Sequence, residues 1–269
     1  MARGPSVFHD GPGAWTRARR LLPAPIRDAA VHWVLFSDRR SRRAFRGSYR
    51  GSDAKPVPLA LRRLHGNPFW IRPGTADPWT LRETFTYADQ LPPEPLEPQL
   101  IVDAGANIGA SMALLAVTFP SARILGLEPD PENAALCRRN IEPWKERCEV
   151  LEMALWSLDG SISLSGSSEA TLAVNTDGHG QTVPTVSVST LMDRYAGGRD
   201  LDYVKLDVEG AERELLTANT AWASRVRCIS VEVHSPYQVD ECLRDLAALG
   251  FQPSTEPAPR QPRVVGRRD

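Results

Sequence analysis

Three short stretches of this 269-residue chain place acidic, basic and glycine residues at spacings that could do chemistry. The first is 103-DAGANIG-109, where an acid at Asp103 is followed by Gly105, Asn107 and Gly109 at every second position. Glycines just after a strand let the backbone approach a ligand closely and turn tightly into a helix. The second is Glu128 in 124-ILGLEPDPEN-133. An acid at a strand end can accept hydrogen bonds from both hydroxyls of a ribose. The third combines 203-YVKLDVEGAERELL-216 with 230-SVEVH-234. Strand alternation puts Lys205 on the face of Asp207, and Glu232 on the face of His234. Such groups could orient a hydroxyl and remove its proton.

The glycine spacing discriminates between ligands. A dinucleotide loop, GxGxxG, requires glycine at 105 and 107 and glycine or alanine at 110, and the middle position is Asn107. The pattern that fits is acid-x-Gly-x-(Gly/Asn)-x-Gly. It resembles the loop of the Rossmann-like S-adenosylmethionine-dependent methyltransferases. That cofactor carries an amino-acid head, a sulfonium and an adenosine, and no pyrophosphate. The resemblance implies that Asp103 meets the ammonium, directly or through water. Gly105, Ala106 and Gly109 form the loop, and Asn107 positions the carboxylate or the loop itself. Glu128 takes the ribose and Pro129 turns the chain after it. Asp130 reads equally well as the cap of the next helix. In 152-EMALW-156 the backbone of Met153 and Ala154 is placed to frame the adenine.

The stretch 203-YVKLDVEGAERELL-216 is the most specific of these features. With 101-IVDAGANIG-109, 127-LEPDPEN-133 and 229-ISVEVH-234 it resembles the FkbM family of methyltransferases, over roughly residues 66–252. The resemblance implies a class I Rossmann-like fold, S-adenosyl-L-methionine as methyl donor, and O-methylation of a hydroxyl on a natural product, sugar or lipid-linked glycan. Beside it stands the reading of the residues. Asp207 ends a strand where the methyl group should lie, and could orient the acceptor hydroxyl or take its proton. Lys205 shares its face, Glu209 begins the turn, and Gly210 admits close backbone approach. Glu212 reads as a first-turn helix charge. Glu232 and His234 end the neighbouring strand, and His is the natural base at neutral pH. No cluster has metal-ligand spacing along the chain, so none is expected to hold a metal. Asp207, Glu232 and His234 could bind a divalent ion only if they converge.

The elements that must position these residues alternate. Strands are expected at Leu100–Asp103, Arg123–Glu128, Glu149–Ala154, Tyr203–Asp207 and Cys228–Val233, with helices at Gly109–Phe119, Pro131–Asn140, Ala211–Ala218 and Val239–Leu249. This order predicts an α/β fold with a mostly parallel, doubly wound sheet. Upstream, residues 66–85 read as a strand, a Pro-Gly turn, and a helix capped by Asp77. Four prolines in 91-LPPEPLEPQ-99 mark a linker. The expected organisation is a basic, mainly helical N-terminal extension (1–65), a lid or linker (66–98), the methyltransferase domain (99–252) and a loose tail (253–269) with at most an edge strand at Val264–Val265. Residues 160–188, rich in Ser, Thr and Gly, read as short strands or an insertion. With residues 1–90 they are expected to wall the pocket.

Composition narrows the rest. Residues 1–72 hold 15 Lys and Arg against 4 acids, and the remainder 17 against 29, so a net charge of -1 hides a basic N-terminal lobe. That lobe is either a solvated basic helix, or a surface that covers the site and recruits an acidic acceptor such as a phosphorylated glycan or a carrier-tethered chain. In the second case neutralising Arg39, Arg40, Arg42 and Arg43 raises the Michaelis constant. Four scattered cysteines without a CxxC pair suit a reducing compartment. No apolar run has the length of a signal peptide or membrane span, so a cytoplasmic location without stable membrane insertion is expected. The expected partner is a small-molecule, sugar or carrier-tethered acceptor with a free hydroxyl, and a homo-oligomer stays open. Nucleic acid is not expected: there is no basic-aromatic interleaving, and no Asn/Asp-Pro-Pro-aromatic box for methylating base amines. A nicotinamide-dependent oxidoreductase and a non-catalytic binding module on the same fold are the alternatives.

Overall fold

The computed structural model describes residues 31–50, 55–165, 173–174, 181–256 and 261–268. The expected helices between residues 14 and 30 lie outside them. Backbone is helical over 31–35 and again in α1 (Arg39–Ser48). Asp38 caps α1, its carboxylate accepting from the Ser41 N–H at 2.7 Å. A hairpin follows, β1 (Val57–Ala60) paired antiparallel with β2 (Pro68–Ile71), then α2 (Asp77–Tyr87).

Two features bear on the expected organisation. A domain boundary at residue 65 would cut the β1–β2 hairpin in half. The described residues of the N-terminal part also pack on the sheet domain. Phe36, Phe45, Leu59, Phe69, Leu81 and Phe85 share one buried cluster with Ile108, Ala113, Leu114 and Leu136 of the sheet domain. Hydrophobic burial therefore welds the extension to the domain it precedes. Asn140 pins the joint: its amide accepts from the Trp70 N–H at 2.6 Å and donates to the Trp70 and Ile108 carbonyls. Arg39, Arg40 and Arg43 are exposed, but Arg42 is buried, bonded to the Phe36 carbonyl and stacked 3.9 Å from the Trp33 ring centre. Arg42 thus belongs to packing rather than to an exposed basic surface.

The central domain alternates as the sequence predicts: β3 (Leu100–Ala104), α3 (Ala110–Thr118), β4 (Arg123–Leu127), α4 (Pro131–Ile141) and β5 (Cys148–Leu151). Next come β6 (Ala154–Trp156), β7 (Gly160–Ser165), β8 (Ala173–Val174) and β9 (Gln181–Ser187), which form a small four-stranded sheet in the order β6-β9-β7-β8. The chain continues through α5 (Val188–Arg194), β10 (Leu201–Leu206), α6 (Glu212–Thr217), β11 (Val226–Glu232), α7 (Val239–Ala248), β12 (Gln252–Glu256) and β13 (Arg263–Arg267).

The main sheet has the order β12-β13-β11-β10-β3-β4-β5. The five strands from β5 to β11 are parallel, and β13 is antiparallel to both its neighbours. All five residues of β3 are buried, as a central strand covered on both faces requires. The tail is not loose. β13 lies between β11 and β12, so Val264 and Val265 are fully buried rather than at an edge. Pairing with β11 satisfies backbone groups that the Pro- and Arg-rich composition had suggested were free.

Candidate active site

The carboxyl ends of β3, β4, β10 and β11 converge where an open α/β sheet binds its ligand. Two cavities meet there. The first is lined by Gly105, Asn107, Leu127, Glu128, Pro129 and Ala154, with Ile162 and Leu164 of β7 as an apolar wall. The second is more polar, and is bordered by Thr80, Glu83, Gln90, Ser111, Lys205 and Glu232. Gly105, Asn107, Asp207 and Glu209 border both.

The glycine loop is shaped by what it must pass. Gly105 has φ +84°, and a Cβ there would fall 1.8 Å from the Asp207 carbonyl oxygen. The loop can therefore touch the β10 end only without a side chain. Gly109, also at φ +84°, answers a different need: a Cβ would fall 2.8 Å from the Cys137 sulfur, so it lets α3 pack on α4 and lines neither cavity. Ala106 borders the second cavity. Asn107 adopts φ +48°, its side-chain oxygen accepting from the Ile108 N–H at 2.7 Å. Asn107 thus holds the loop itself.

Glu128 receives the Asn107 N–H at 2.8 Å and the Asp130 N–H at 3.0 Å. Burial pushes its carboxyl up to about 7, against the lowering effect of those two bonds. Asp130 is the cap of α4, accepting from the Asn133 N–H at 2.8 Å. Asp77, expected to cap α2, is instead its first residue. Its carboxylate grips Arg72 through the backbone N–H at 2.8 Å and the guanidinium at 2.9 Å. Met153 packs against the main core while its neighbour Ala154 lines the first cavity.

Asp103 is placed differently from the sequence expectation. It is fully buried, lines neither cavity, and lies 3.0 Å from Lys205 Nζ, with Ser111 Oγ donating to its other oxygen. Lys205 and Asp103 are register partners on adjacent strands, so their side chains emerge side by side. Lys205 also reaches Asp207 Oδ2 at 3.2 Å and the Gly105 carbonyl at 3.2 Å. Burial alone would lower its pKa, but Asp103 and Asp207 overcome that and hold it above the ordinary lysine value. Asp103 therefore acts on the loop through Lys205.

Asp207, Glu232 and His234 do converge: one donor atom of each lies within 4.8 Å of the others. Imidazole Nδ1 of His234 is 2.7 Å from Glu212 Oε1, and Glu212 Oε2 accepts from the Gly210 N–H at 3.0 Å. Glu212 is fully buried. Reading it as a first-turn helix charge missed this contact, and the only available signal was its place in the Glu-Gly-Ala-Glu box. Imidazole Nε2 points at Glu209 (3.5 Å), Glu232 (3.8 Å) and Asp207 (3.9 Å). Burial opposes protonation of His234, but Glu212 and the other carboxylates raise it to about 9. Desolvation and then Asp207 push Glu232 up to about 8.

Comparison with known proteins places this arrangement. Residues 103–253 match the model of the methyltransferase FkbM domain, more than half of the chain. The chain belongs to the FkbM methyltransferase family. It is 27% identical over 191 residues to 2-O-methyltransferase NoeI of Sinorhizobium fredii, covering 62% of this chain and 76% of that protein. It is 28% identical over 142 residues to hexuronic acid methyltransferase AglP of Haloferax volcanii, covering 52% of this chain and 57% of AglP. Among solved structures, precorrin-6y C5,15-methyltransferase of Geobacter metallireducens aligns at 12% identity and a TM-score of 0.43, over 65% of this chain and 82% of that one. This FkbM protein is accordingly an S-adenosylmethionine-dependent methyltransferase of α/β class I fold. Among the described residues no helix is long and apolar enough to cross a membrane.

Proposed function

We propose that this protein transfers a methyl group to a hydroxyl oxygen of a sugar or sugar-containing acceptor. The observation that carries the reading is Asp207, which borders both the cavity suited to the cofactor and the polar cavity beside it. The first cavity fits an adenosyl ligand. It has a buried acid at Glu128 for the ribose, an apolar wall at Leu155, Ile162 and Leu164 for a flat base, and a side-chain-free approach at Gly105. When bound, the cofactor supplies a methyl carbon made electrophilic by its sulfonium. The acceptor oxygen gains that carbon as the carbon–sulfur bond breaks, and the electron pair stays on sulfur. Thr80, Glu83, Gln90 and Glu232 give the second cavity the hydrogen-bonding groups that several adjacent hydroxyls require. Asp207 orients the acceptor hydroxyl, and the surrounding carboxylates receive its proton. NoeI, a 2-O-methyltransferase, supports transfer to oxygen, and AglP, a hexuronic acid methyltransferase, supports a sugar acceptor.

The test has two parts. Calorimetric titration with S-adenosylhomocysteine and NAD is expected to show micromolar binding of the former only, lost in Glu128→Ala. Incubation with methyl-labelled S-adenosylmethionine and a panel of hexoses, hexuronic acids and their glycosides is expected to put label on a sugar oxygen. Binding of NAD alone, or label only on amine acceptors, would overturn the reading.

A further inference from the structure

His234 is aimed at a group of carboxylates. Its Nδ1 is fixed by Glu212 at 2.7 Å, and Glu212 is itself fixed by the Gly210 N–H. With Nδ1–H held by Glu212, a cation that displaces the Nε2 proton would meet a lone pair aimed at the cluster. The residue is nine-tenths buried. Yet Nε2 lies 3.5–3.9 Å from Glu209, Glu232 and Asp207, beyond the usual 2.7–3.2 Å of a hydrogen bond. Donors bound at about 2.1 Å to a common cation sit about 3.0–3.4 Å apart, whereas one donor atom each of Asp207, Glu232 and His234 lies within 4.8 Å of the others, so the two carboxylates would have to close on the ion to seat it. Carboxylate–imidazole–metal relays use this same fixing of the far ring nitrogen.

Charge points the same way. Asp89, Asp103, Asp207, Glu209, Glu212 and Glu232 gather around three cations, Lys205, His234 and Arg263, the last a register partner of Glu232. Lys205 holds Asp207 by Oδ2, while Oδ1 is the oxygen turned toward His234. Carboxylates outnumber cations there, and gathering them in a half-buried cluster is costly without a counter-ion.

We propose that Asp207, Glu232 and His234 bind one first-row divalent cation at the boundary of the two cavities. One imidazole and two carboxylates suit manganese, iron or zinc better than an all-oxygen ion such as calcium. Both carboxylate ligands border the second cavity, so positions left open by the protein face the acceptor side. There an ion would grip vicinal hydroxyls and lower the pKa of the one that is methylated, with Glu209 taking the released proton. That role rests on methyl transfer in the adjoining cavities; the binding of the ion does not.

The experiment is Mn2+ titration of the full chain after chelator treatment, with free Mn2+ read by electron paramagnetic resonance. One Mn2+ per chain is expected, displaced by Zn2+. Affinity should fall at least tenfold in Asp207→Asn and Glu232→Gln, and the nitrogen coupling of the bound ion should vanish in His234→Ala. Retained S-adenosylhomocysteine binding in Glu232→Gln shows that this variant is folded. Failure of the stripped protein to take up either metal, or uptake unchanged in Glu232→Gln, overturns the site. S-adenosylhomocysteine binding without metal uptake sinks the ion and leaves the methyltransferase reading standing. Metal uptake without transfer to any sugar does the reverse.

Discussion

Glu212 Oε1 lies 2.7 Å from His234 Nδ1, and the two side chains are buried against each other between α6 and the end of β11. Glu212 borders neither cavity, so it acts through the imidazole and is a positioning residue. Glu212→Gln keeps the size of the side chain but weakens its hold on the ring. Partners of this kind are worth about 10–100-fold in ligand affinity or activity. The expected result is a fall of that size in methyl-transfer turnover, with S-adenosylhomocysteine affinity unchanged within a factor of about two. Steady-state kinetics and calorimetry check it together. Equal losses in turnover and cofactor affinity would mean that Glu212 only holds the fold.

Glu128 gives a pH dependence with a definite sign. Burial raises its carboxyl from 4.5 to about 7, so the folded chain keeps its proton longer than the unfolded chain. Its contribution to stability is therefore full below about pH 4.5 and lost as pH rises through about 7. Ligand binding runs in the opposite direction, because ribose hydroxyls donate to the ionised form. With a midpoint near 7, the binding-competent fraction grows about tenfold from pH 6 to pH 8. The dissociation constant for S-adenosylhomocysteine should tighten about tenfold over that interval, and Glu128→Gln should bind weakly with no such trend. A flat profile in the parent protein would remove Glu128 from the ribose.

Residues at strand ends were legible in the sequence because strand position and alternation decide where they go. Glu128, Asp207, Glu232 and His234 all reach the site on that logic, and the alternation of elements gave the parallel sheet. Asp103 shows where the logic stops. Its strand end was plain, but the face it uses is set by Lys205, a register partner about a hundred residues later. Glu212 failed for the same reason, since a buried imidazole on another strand outweighs a generic helix-end effect. The tail failed differently. Its Pro- and Arg-rich composition argues against order, but pairing with β11 on one side and β12 on the other makes β13 a strand. The N-terminal segment looked separate because its arginines dominate the composition, while Phe36, Phe45 and Phe69 share a buried cluster with residues of α3 and α4.

Lys205 supplies a test of the buried pair. Asp103 is fully buried and Lys205 nearly so, and the ammonium also engages Asp207 and the Gly105 carbonyl. Removing one member of such a pair strands the other charge, at a cost of about 3–5 kcal/mol, whereas replacing both by apolar groups is often close to neutral. Lys205→Met should therefore lower the urea midpoint sharply, and Asp103→Leu/Lys205→Met should recover at least half of the loss. Cofactor binding should not recover with it, because the double variant still lacks the tie between the β10 end and the Gly105 carbonyl. If Lys205→Met matches the parent in urea, the ion pair is not what holds β3 to β10. If the double variant regains S-adenosylhomocysteine affinity, the lysine serves stability alone and the glycine loop keeps its shape without it.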